Sequence, residues 1–168
     1  MATARTDRTL GVPGIALVLA GAVALMLSFT TTTWYAGQSS GPDSISRITF
    51  STLHHLTSII PGAPSSTKAY FGWLAWVLLL LGVIIGVAAN VPWPVAPGAS
   101  IALRVAGAVL GVLGMVVTYY AMHKLFAPSG ASVFTHSRAG LWLAFVGYAV
   151  IAAGAAIGPL PPHCPPTA

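Results

Sequence analysis

His54, His55, His123 and His136 are the side chains here best suited to holding a metal or moving a proton. Asp43 and Ser51 lie near the first two, and His163-Cys164 forms a second small group near the C-terminus. A zinc site needs three or four ligands in defined geometry. Adjacent histidines point to different faces of a helix, so His54 and His55 do not form an i, i+4 ligand pair. Asp43, Ser51 and His54 supply the residue types of a hydrolytic triad, but nothing resembles a nucleophile elbow. The chain has no Glu, and no acid falls within an apolar run. A proton relay or ion-coupled carrier usually shows buried ionisable groups there. The expectation is therefore no catalytic residue, no metal and no cofactor. The four histidines retain one chemical use, as a pH-sensitive group on a loop.

The elements that would position these residues come from hydropathy. Of the residues, 56% are hydrophobic and 5% are charged. A soluble domain carries about 25% charged residues, so lipid is the solvent for most of this chain. Four apolar runs, at about 12–33, 70–91, 101–122 and 139–157, are each near the roughly 20 residues that cross a bilayer. The first is too long for a signal peptide and lacks a prompt cleavage site. The fold expected is an all-α membrane protein, a four-transmembrane-helix bundle in a single domain. Cys164 is the one cysteine, so no intrachain disulfide forms; a lipid anchor there is one use for it.

The connection at 34–69 is the only long one. Residues 34–42 are rich in turn formers. Beyond them Ile45, Ile48, Leu53, Leu56, Ile59 and Ile60 recur at helical intervals, with polar residues largely between. The pattern predicts an amphipathic helix over 43–60, capped by Asp43 or Ser44 and ended by Pro61-Gly62. Strand-like alternation covers only 44–49, which is the weaker reading.

Seven basic residues face two acids, giving a net charge of +5. They are scattered singly at span ends rather than clustered on one face, which argues against nucleic acid as a partner. With both termini on one side, Arg5, Arg8 and Arg104 share that side; Arg47, Lys68, Lys124 and Arg138 share the other. The count does not decide orientation, but Arg5 and Arg8 precede the first span, which often dominates. Both termini are expected in the cytoplasm, the chain in the plasma membrane, and 34–69 outside. Arg104, in the first turn of its span, reads as an anchor reaching the interface.

Small residues supply the packing. Gly82 and Gly86 lie four apart in the second run, and Gly107 and Gly111 in the third. Gly140, Gly147 and Gly154 recur every seven residues in the fourth; Ala16, Ala20 and Ala24 form a smooth face on the first. Lipid gives no hydrophobic drive between helices, so close approach through small residues must hold them. Such faces meet inside the bundle, or one meets a partner. Short matches also relate the two halves: Thr33-Trp34-Tyr35-Ala36 with Thr118-Tyr119-Tyr120-Ala121, and Trp73-Leu74-Ala75-Trp76 with Trp142-Leu143-Ala144-Phe145. A parallel duplication would produce them.

The Trp34-Tyr35 pair, followed by the last span's Gly140, Trp142, Leu143, Ala144 and Gly147, resembles a plan common among small four-span actinobacterial membrane proteins. The resemblance covers most of the chain through short motifs. It implies location more than activity; some such proteins accompany larger envelope machines, including mycobacterial lipid-import complexes. The functional expectation is a non-enzymatic accessory or scaffold subunit of such a complex, its partners being the lipid bilayer and other membrane subunits. Its contact residues would be Ile45, Ile48, Leu53 and Leu56 with Gly82, Gly86, Gly107, Gly111, Gly140, Gly147 and Gly154. The rival is a small transporter or lipid-binding protein with a cleft between the two hairpins.

Overall fold

The computed structural model describes residues 11–38, 45–92, 97–126, 133–134 and 137–158. The first helix, α1, runs Val12–Thr30, with a proline in its first turn where a missing N–H costs nothing. It stops three residues short of the expected 33. Thr30, Thr31 and Thr32 donate their hydroxyls to the carbonyls of Met26, Leu27 and Ser28 at 2.7, 3.1 and 3.1 Å. Such back-bonding of threonine hydroxyls onto the preceding turn competes with the backbone ladder and suits a helix end.

The chain then turns to strand, against expectation. β1 (Thr33–Gln38) pairs antiparallel with β2 (Ile45–Thr49). The helix predicted from 43 is the ten-residue α2 (Phe50–Ile59), which begins seven residues later. Its cap is Thr49, whose Oγ1 accepts from the Thr52 amide at 3.3 Å; Asp43 and Ser44 lie outside the described residues. Ile45 and Ile48 are therefore strand residues.

The second long helix starts early. α3 (Ser65–Ala69), a π-helical turn (Tyr70–Leu74) and α4 (Ala75–Asn90) run on as one piece, so Lys68 is helical. α5 (Pro97–Phe126) is longer than expected at both ends, and α6 (Ala139–Ile157) matches its prediction. Four helices are thus long and apolar enough to cross a membrane: Val12–Thr30, Ser65–Asn90, Ala99–Phe126 and Ala139–Ile157.

The four alternate in direction. α6 packs against α1, α4 and α5, while α4 also touches α1 and α5. α4 and α6 therefore hold the middle, and α1 and α5 stand on opposite flanks. The hairpin and α2 close one end of the bundle; Gly11 and Gly158 mark the other.

Candidate functional site

Small residues on α1 and α6 meet in one antiparallel register. Gly14 faces Gly154, Gly21 faces Gly147, and Ser28 faces Gly140. A methyl group on Gly154 would stand 2.8 Å from the Gly14 carbonyl, and one on Gly21 would stand 2.6 Å from the Gly147 carbonyl. The Ser28 hydroxyl closes the series by donating to the Gly140 carbonyl at 2.7 Å. Each step is seven residues on both helices, the spacing that keeps one seam facing its partner. Ala16 and Ala20 are exposed, so the α1 face in use is Gly14, Val18, Gly21, Leu25 and Ser28 rather than the alanine face expected.

The other predicted glycines also face helices of the same chain. Gly86 lies against Val18, and Gly82 meets Ile151 at ordinary contact. On α5, Gly107 packs on Ala155, and Gly111 on Ala152 and the Tyr148 carbonyl. All seven are buried. Their use is bundle packing, and as folded they offer no surface to another chain.

Asn90 is buried where α1, α4 and α6 converge. Its Nδ2 donates to the carbonyls of Gly86 and Gly154 at 2.8 and 3.0 Å. Its Oδ1 lies over Gly11 and Gly14, where a methyl on Gly11 would approach to 2.6 Å. The Gly11 amide donates to the Asn90 carbonyl at 3.0 Å. Arg104 lies two turns into α5, not in its first turn, and its guanidinium crosses the end of α6 over Gly158. Gly158 has φ 61°, which favours glycine, and no side chain would fit beneath the guanidinium. A cation there complements the partial negative charge of a helix C-terminus.

At the opposite end the hairpin and α2 dock on a buried aromatic layer. Phe50 of α2 lies 4.7 Å from Phe29, 5.4 Å from Trp34 and 5.3 Å from Phe71, centroid to centroid. Trp34 is the extra residue of a β-bulge between Thr33 and Tyr35, and bulges re-aim side chains. It is fully buried and donates its indole N–H to the Ser28 carbonyl at 2.7 Å. Leu53 is also fully buried, and Ile48 packs half-buried against the same cluster. Leu56 is half-buried, and the side chain of Ile45 lies outside the described part. Beneath the layer Thr118 donates to the Gly114 carbonyl at 2.6 Å, so the Tyr70 hydroxyl donates to Thr118, also at 2.6 Å.

β1 is pinned on its far side as well. The Arg138 amide donates to the Trp34 carbonyl at 3.0 Å, and Tyr35 bridges to Ser137. Tyr35 stacks on Phe126 at 4.3 Å. Between this strand and the start of α6 lies a cavity of about 390 Å³, lined by Thr32, Thr33, Ala36, Arg47, Arg138 and Ala139. Around the same end Trp73, Tyr119, Tyr120, Phe134 and Trp142 remain exposed, the placement of an interfacial aromatic belt.

The histidines do not assemble. His54 and His55 are exposed on α2, His123 is exposed near Tyr119, and His136 lies outside the described residues. Among the described residues no three His, Cys, Asp or Glu side chains come together. Sequence reasoning missed Gly14, Gly21, the inward aim of Trp34 from a bulge and the shared pocket of Arg47 and Arg138. The seven-residue step shared by 14, 21, 28 and 140, 147, 154 was a usable signal for the first two. The last two depend on a strand register that no local pattern specifies. No family model, curated protein or solved structure matches the chain.

Proposed function

We propose that the chain is a non-enzymatic accessory subunit of a larger membrane complex. It sits in the plasma membrane with both termini cytoplasmic and the hairpin and α2 on the opposite side. The observation that carries this reading is how the helices divide their surfaces. The glycine faces are spent on closing the chain's own bundle. α5, the least buried of the four spans, keeps a smooth apolar face free. Ala108, Val112 and Val116 form one ridge along it, with Val109 and Leu113 beside them around a shallow groove of about 360 Å³. Short and β-branched side chains at i, i+4 spacing suit close packing of a second transmembrane helix. The occupant inferred is an apolar helix of a larger subunit.

The glycine-tight interior weighs against the rival reading, a carrier with a cleft between hairpins. The seating of the cap supports a scaffold: α1, β1, α2, the π-helical turn and α4 all contribute rings to the aromatic layer that holds it. The test is affinity purification in mild detergent of the wild type and of a Val109→Trp, Val112→Trp variant. The expected result is a reproducible membrane partner with the wild type, lost with the variant while its melting temperature is unchanged. A wild type that purifies without any reproducible partner would sink the proposal.

A further inference from the structure

Arg47 and Arg138 come from distant parts of the chain and line one cavity. Arg47 pairs directly across the hairpin from Ala36, so both side chains stand on the same face of the ribbon. Ala36 is buried on that face and lines the same cavity. Arg138 immediately precedes α6, and its backbone is held by its amide bond to Trp34 and by its carbonyl accepting from the Leu141 amide at 3.1 Å. Fixed backbone thus brings two exposed arginines from distant parts of the chain to the lining of one cavity.

The chain cannot neutralise both with carboxylate side chains. Its acids are Asp7 and Asp43. Asp7 precedes Gly11 by four residues, a reach of about 14 Å at most. Gly11 is at the far end of α1, whose 19 residues extend about 28 Å. That leaves Asp43, and one carboxylate neutralises the charge of at most one arginine. An unmatched positive charge remains in a cavity roomy enough for a small ligand.

We propose that this cavity binds a phosphate group, with Arg47 and Arg138 as its donors. Arginine's planar fork of N–H groups matches phosphate oxygens in pairs. The cavity lies one turn of α6 from Trp142, an exposed member of the aromatic belt, and so at the depth of lipid headgroups. The phosphate comes from a lipid headgroup or from solution; the site's chemistry is the same for both.

The test is native mass spectrometry of the full chain in detergent, titrated with phosphatidylglycerol, with a diacylglycerol of the same acyl chains, and with inorganic phosphate. Wild type is expected to retain phosphatidylglycerol in preference to diacylglycerol. Arg47→Gln with Arg138→Gln should weaken retention about tenfold or more, the scale of a lost charge-assisted pair. Lys68→Gln with Lys124→Gln, which removes as much charge at the same end, should change it less than about twofold by the same scale. Should the arginine double variant fail to fold, the exposed Arg47→Gln alone decides. Retention of phosphatidylglycerol against excess inorganic phosphate assigns the group to a lipid; arginine-dependent binding of inorganic phosphate alone assigns it to a soluble anion. Arginine variants that bind both like the wild type, or diacylglycerol retained as tightly as phosphatidylglycerol, would overturn the site.

Discussion

Gly21 and Gly82 are both buried glycines in apolar helices, yet they should respond oppositely to a methyl group. At Gly21 the new carbon would meet backbone, the Gly147 carbonyl at 2.6 Å and the Ile151 amide at 3.0 Å. Backbone cannot step aside, so Gly21→Ala should destabilise by about 1–3 kcal/mol, as overpacking does. At Gly82 the nearest atom is Ile151 Cγ2 at 3.4 Å, an ordinary contact. Gly82→Ala should be neutral or slightly stabilising, since alanine gains up to about 1 kcal/mol over glycine in a helix. Thermal unfolding in detergent separates the two. Asn90→Ala removes a bond between helices, and the cost expected from the same measurement is about 0.5–2 kcal/mol. The glycine spacings were legible in the sequence because packing in lipid uses small residues. Which alanines were idle was not: Ala16 and Ala20 are nearly as small as Gly14 and Gly21, and only the matching partner on α6 distinguishes them.

The hairpin and α2 form the element whose identity needed the structure. Residues 45–49 carry too short an alternation to outweigh the helical spacing beyond them, and Ala36 and Gly37 in the partner strand are poor strand formers. What makes the strands is tertiary: the bulge turns Trp34 inward, and the aromatic layer rewards it. The helix itself was legible from Leu53 onward, where the apolar spacing and the Pro61-Gly62 stop agree. Phe50→Ala is therefore expected to loosen the cap alone. A buried phenylalanine lost to alanine costs about 3–5 kcal/mol. Hydrogen exchange should therefore quicken over Ile45–Ile59 and stay unchanged in α1 and α6. Equal quickening in all three would mean the cap and bundle unfold together.

For the whole molecule, four apolar runs, charge-free but for Arg104, made the four apolar helices legible, because a chain with so few charges has few ways to bury its backbone in lipid. The order of packing was not legible, since nearly every face is apolar and the choice among faces lies in the fit of small residues. The short matches between the two halves share their surroundings at some positions and not at others. Trp73 and Trp142 are both exposed, and Ala75 and Ala144 both buried; Trp34 lies buried in a strand, whereas Tyr119 and Tyr120 are exposed on a helix. The proposed role has this closed bundle working as a subunit, through α5, and not alone. Native mass spectrometry of the gently solubilised protein distinguishes a subunit from a solitary chain. The prediction is a discrete assembly of fixed stoichiometry containing a second membrane protein, which falls to the free chain when Val109 and Val112 are replaced by tryptophan. A wild type found only as a monomer, with bound lipid and no protein partner, would contradict it.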